Sequence, residues 1–123
     1  MHKVFSPELP PCAEISFDDF LKVDIRVGIV IDAVRLEGTR NPSLKLVIDF
    51  GDGIGTRKSA AQITELHDPA NLIGTQIIAV VNFPPRQIGK FMSQVLVLGV
   101  PDSGGNISLL KPSHGVPNGA RMS

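Results

Sequence analysis

The sequence predicts a small all-β barrel of five strands, and three features of its 123 residues point that way. Apolar residues recur at every second position over long stretches, the period of a strand with one face on a core. Glycine-rich segments, "GDGIG" and "DSGGN", separate several of those stretches and supply the positive-φ residues that reversals need. Helix punctuation is confined to short segments, so the several long helices of a doubly wound α/β fold are missing.

Taken in chain order, "EISFDDFLK" comes first: Ser16 suits the cap of a turn begun by Asp18 and Asp19, with Phe17 and Phe20 expected to pack on the barrel end. "KVDIRVGIVIDAV", from Lys22 to Val34, carries apolar side chains at 23, 25, 27, 29, 31 and 33 and predicts one long strand. Gly28 falls mid-strand, where the missing side chain permits a bulge or bend that lets one strand serve two sides of a barrel. "LKLVIDF" sets Leu44, Leu46, Ile48 and Phe50 on one face, and "GDGIG" turns it into a third strand, "TRKSA". In "AQITEL" and "HDPANLIG", Asp68 is a cap, Pro69 suits the first helical position and Gly74 the stop. "QIIAVVNF" and "SQVLVLGV" read as near-continuous apolar strands, "DSGGN" leads into a short "ISLLK", and "PSHGVPNGARMS" is a loop-like tail. A long glycine-kinked first strand and a short helix between strands 3 and 4 define the order of a five-stranded Greek-key barrel of the OB type. An SH3-like barrel or a sandwich suits strands of this size but predicts no helix there. Residues 1–14 form an N-terminal arm, and residues 15–123 the OB-fold domain with its C-terminal extension.

Composition sets bounds on function. No apolar run reaches the roughly 18 residues that cross a bilayer, so no membrane insertion is expected. Pro7, Pro10 and Pro11 interrupt the first residues before an export signal's apolar segment can develop, which points to a cytoplasmic location. Cys12 is the only cysteine, which rules out an internal disulfide. Basic and acidic residues balance at 12 each, yet residues 1–39 carry 4 basic and 7 acidic side chains and residues 82–123 carry 4 and 1. Positive charge therefore gathers toward the C-terminal part of a neutral chain.

The chemical constellations point to binding. His2, His67 and His114 lie far apart without neighbouring cysteines or paired carboxylates, so neither a metal site nor a cofactor is expected. "GDGIGTRKS" lacks the glycine-to-lysine spacing and the following helix of a phosphate loop, and no nucleophile elbow frames Ser59 beside His67 and Asp68. No catalytic residue is assigned. Ligands of such barrels lie across the central strands between protruding loops. Arg40, Lys58, Arg86 and Lys90 can neutralise phosphates there, while Gln62, Asn82, Ser93 and Gln94 can bond base edges or ribose hydroxyls. Asn82 is equally suited to holding a loop backbone. With no Trp or Tyr, stacking falls to Phe83 and Phe91, which favours folded RNA over unpaired strands. Phe83, Ile88, Phe91 and Met92 read either as an apolar patch for a partner chain or unfolded peptide, or as buried core.

The segments "FLKVDIRVGIV", "KSAAQIT", "VVNFPPRQIGKFMSQVLVLGV" and "VPNG" resemble the CsaA-type chaperones, part of a wider group of OB-fold tRNA-binding modules that includes the C-terminal appendage of some methionyl-tRNA synthetases. The resemblance covers roughly residues 15–121. It implies a non-enzymatic homodimer that binds tRNA and holds unfolded preproteins for the secretion machinery; the alternative is a purely structure-specific tRNA-binding module with no chaperone role. The group's pattern falls on Asn82, Pro85, Arg86, Gly89 and Ser93, with its basic-plus-serine element on Lys58 and Ser59. Gln94, Val95 and Leu96 follow the CsaA-type subgroup where synthetase modules differ. The first strand's edge, the arm and the tail are the expected dimer surfaces, since an uncovered edge invites pairing.

Overall fold

The computed structural model describes residues 3–37 and 42–123. Its centre is strand β1 (Ile25–Leu36), long enough to pair with two neighbours in succession. From Ile25 to Ile29 it pairs antiparallel with β4 (Gln76–Val80), and from Ile29 to Leu36 with β2 (Ser43–Asp49). Strand β3 (Thr56–Ala61) joins β2, and β7 (Leu96–Val97) joins β4, giving the order β3-β2-β1-β4-β7 in a curled antiparallel sheet. This half-barrel is the all-β, OB-like architecture expected from the sequence. Leu44, Leu46, Ile48 and Phe50 are all buried, and with Val30, Ile63, Ile77 and Val97 they fill the interior.

The kink in β1 is not where glycine suggested. The register shifts between Val30 and Asp32, so Ile31 is the extra residue; it is 48% exposed, while Val30 is fully buried. The alternation changes phase at this bulge. Gly28 has a different role: a Cβ there would lie 2.6 Å from Ile48 Cγ2 and 2.8 Å from Phe50 Cδ1, so the absent side chain lets the core close over the strand.

Gly51 and Gly55 take φ of +85° and +80° in the β2–β3 turn. Helix α2 (Pro69–Leu72) follows β3 as expected: the Asp68 carboxylate accepts from the Ala70 amide at 3.0 Å, Leu72 is buried, and Gly74 ends the turn at φ +87°. "SQVLVLGV", by contrast, does not make one strand. It divides at Leu98, whose amide donates to Ile78 O at 2.8 Å and whose carbonyl accepts from Leu110 N at 3.0 Å. Beyond it β8 (Gly99–Pro101) pairs with β9 (Ile107–Leu109) in a separate two-stranded sheet.

Two expectations at the chain's ends are corrected. The capping box forms at helix α1 (Phe17–Leu21), with Ser16 Oγ accepting from Asp19 N at 3.1 Å, but no residue of the helix is buried and Phe17 is 67% exposed. The tail is no free loop: Gly119 N donates to Val27 O at 2.7 Å, Val27 N to Ala120 O at 2.9 Å and Met122 N to Ile25 O at 2.8 Å. Asp24 secures this pairing through Arg26 at 2.6 Å and Arg121 at 3.5 Å. The edge of β1 proposed to meet a second subunit is thus occupied from Ile25 to Val27 by the chain itself. Among the described residues, no helix is long and apolar enough to cross a membrane, and no group of three His, Cys, Asp or Glu is placed to hold a metal.

Candidate functional site

The segment between β4 and β7 folds as a hairpin. After Pro84 and Pro85, β5 (Arg86–Ile88) pairs with β6 (Phe91–Ser93), matching Arg86 with Ser93, Gln87 with Met92 and Ile88 with Phe91. Gly89 and Lys90 make the two-residue connection, with Gly89 at φ +60°, a left-handed conformation suited to the twist of a tight hairpin. Arg86 and Lys90 are exposed, as are Phe83 at 47% and Met92 at 44%, while Ile88 and Phe91 are half-buried.

Where the hairpin returns to the barrel it meets β3, and side chains make most of the join. The Gln94 amide donates to Lys58 O at 2.8 Å, and the Lys58 amide donates to Gln94 Oε1 at 2.8 Å. Ser59 Oγ and Ser93 Oγ both donate to Val95 O, at 3.1 and 3.2 Å, and Ser93 Oγ accepts from Ala60 N at 3.2 Å. Ser59 and Ser93 are only 1% and 4% exposed. Their expected place on the ligand-facing surface is therefore corrected to the seam beneath it, because hydroxyls close a gap that no regular ladder spans. The same burial leaves Ser59 unavailable as a nucleophile.

Asn82 also works inward. Its Oδ1 accepts from Asp24 N at 2.9 Å and its Nδ2 donates to Lys22 O at 2.8 Å, tying the end of β4 to the chain entering β1. Gln62 is exposed just beyond β3, and Arg40 lies outside the described residues.

The outer face of β2 and β3 holds a feature that sequence reading overlooked. Leu44 and Leu46 point into the core, so Lys45 between them points outward, paired in register with Ala60. Lys45 Nζ stands 5.8 Å from the centroid of the Phe91 ring, and Lys58 Nζ stands 5.7 Å from it. Among the described residues neither lysine enters an ion pair. The alternation of "LKLVIDF" was the available signal for Lys45. Its approach to Phe91 depends on the hairpin folding back over β3.

Two carboxyl and imidazole groups are perturbed elsewhere. The Lys22 ammonium and the cap at Ser16 hold the Asp19 carboxyl below its usual range. Partial burial holds the His67 imidazole below its usual value, helped by the charge of Lys111, and its Nε2 accepts from Leu109 N at 3.3 Å.

Comparison with known proteins places this face in a wider setting. The family profile described as a putative tRNA binding domain matches residues 25–121. Over 116 residues the chain is 39% identical to a methionine–tRNA ligase of Francisella tularensis, covering 94% of this chain and 17% of the ligase. Two solved structures are covered in full: the chaperone CsaA of Bacillus anthracis, at 47% identity and TM-score 0.83 over 90% of this chain, and the CsaA chaperone protein of Picrophilus torridus, at 46% and 0.82 over 89%.

Proposed function

The chain belongs to the tRNA-binding domain family, in its CsaA-type branch, and from that premise we propose that it is a non-catalytic module gripping the phosphates of a folded tRNA. The observation carrying this reading is the exposed hairpin bearing Arg86 and Lys90 beside the β2–β3 face bearing Lys45 and Lys58. In OB barrels that face and its flanking loops receive oligonucleotides. Pro84 and Pro85 limit the freedom of the hairpin's entry, so less ordering entropy is lost when Arg86 and Lys90 meet phosphates. Ser59, Ser93, Gln94 and Asn82 serve as the frame that fixes where those cations stand, and Gln62 remains available for a hydroxyl or base edge.

Electrostatic contact of this kind is salt-dependent, which provides the test. Binding of tRNA to purified protein, titrated from low to moderate salt, is expected to weaken for Arg86→Ala with every tRNA sequence, and the slope of log K against log salt to fall by about 0.9. Equal affinity and slope would remove the site from the hairpin.

A second reading, preprotein holding, is favoured by Phe83 and Met92 standing exposed on and beside the same hairpin. Phe91 is a poorer anchor than expected, since two lysines stand over it. Phe83→Ser with Met92→Ser is expected to reduce protection of an unfolded preprotein against aggregation, and undiminished protection would leave a tRNA-binding module alone. Homodimer formation is part of this proposal. It is supported by the exposed Val4, Phe5 and Leu9 of the arm and by Phe17, and sedimentation of the intact chain against a variant with polar residues at these positions tests it. A cytoplasmic site of action suits both ligands.

A further inference from the structure

We infer that Phe91 acts as a positioning residue, using its ring to hold Lys45 and Lys58 together as a clamp for consecutive phosphates of a phosphodiester chain. The inference rests on the RNA-binding reading and deepens it. Both ammoniums lie within the 6 Å over which an aromatic quadrupole attracts a cation, at 5.8 and 5.7 Å from one centroid. Lysine side chains are long and flexible, and two like charges drawn to one ring repel each other. They are kept there by geometry: Lys45 and Lys58 project from neighbouring strands of one sheet face, and the β5–β6 hairpin, locked to β3 through Ser93 and Gln94, lays Phe91 beside them.

The ring thus gathers positive charge without cancelling it, as a carboxylate would. Consecutive phosphates meeting the two ammoniums offset their repulsion, and the ring has already restricted both side chains before the ligand arrives. The half-buried ring works through the lysines, which differs from the base-stacking role an aromatic residue on this face would otherwise be given.

A ligand without bases separates the two roles. With inorganic tripolyphosphate as the probe, Phe91→Leu is expected to weaken binding three- to tenfold, while Phe91→Tyr, which keeps the ring, restores it. In a Lys45→Ala, Lys58→Ala background, Phe91→Leu is expected to add less than a twofold further loss, for tripolyphosphate and for tRNA. The ε-methylene protons of both lysines, shifted by the ring current in the free protein, are expected to return to ordinary positions in Phe91→Leu. Unchanged tripolyphosphate binding in Phe91→Leu, or a loss undiminished in the double-alanine background, overturns the clamp. Wild-type protein that binds tripolyphosphate but no tRNA keeps the clamp and discards the RNA reading; binding of neither discards both.

Discussion

Polar residues of one short segment have opposite fates. Ser93 and Gln94 turn into the seam with β3, where their hydrogen-bonding groups meet backbone and water is excluded from the serine. Arg86 and Lys90, a few positions earlier, stand exposed on a hairpin stiffened by two prolines. Ser93 and Arg86 both fall in the pattern that carries the family resemblance, yet only Arg86 is exposed. A polar residue in the segment can therefore act by fixing geometry from below.

This contrast can be tested in order of effect. Ser93→Ala leaves the buried seam's Ala60 amide without its acceptor, while Val95 O keeps Ser59 Oγ, and about 1–3 kcal/mol of stability should be lost in urea unfolding. If stability holds and only tRNA affinity falls, Ser93 is a ligand contact and the division of roles collapses. Asn82→Ala removes two bonds at a more exposed junction, so a loss of about 1 kcal/mol is expected by the same measurement. Lys45→Ala should leave the core intact while lowering the salt slope of tRNA binding by about 0.9. An unaltered slope would confine the interface to the hairpin.

The smallest effect concerns His67, far along the chain from either region. Its imidazole titrates lower in the folded state than in the unfolded chain, so the unfolded state binds more protons as pH falls through the ordinary histidine range of about 6.5. This contribution to stability is complete above that range and is lost below it. A shallow decline in Tm between pH 7 and 5 that is reduced in His67→Gln is the expected outcome. An identical decline in the variant would assign it to carboxylates.

Local chemistry made much of this fold legible. Alternation in "LKLVIDF" gave the buried face of β2, and Asp68, Pro69 and Gly74 gave α2, because each depends on residues within a few positions of one another. The misreadings share a different cause. The bulge at Ile31 arises where β1 leaves one partner for the other, the burial of Ser59 and Ser93 where the sheet curls until β3 meets β6, and the division at Leu98 where two sheets compete for one strand. Each is settled by a partner distant in sequence. Phe17 was assigned to the core on hydrophobicity alone, which is a weak guide for a five-residue helix at the surface. The stiff cationic projection from Pro84 to Lys90 was legible because its signals are local: two prolines at its entry, and in Gly89 the residue that a tight turn between two strands requires.

The pairing of Gly119–Met122 with Ile25–Val27 has a kinetic corollary. A nascent chain that has left the ribosome as far as β4 can dress one flank of its first strand while the other flank waits for about forty more residues. At synthesis rates of roughly 5–20 residues per second, that interval lasts seconds, far longer than a hairpin takes to form. During it, an open row of amides and carbonyls is offered to any neighbouring polypeptide, so the newborn molecule passes through a period of stickiness that its mature form has sealed.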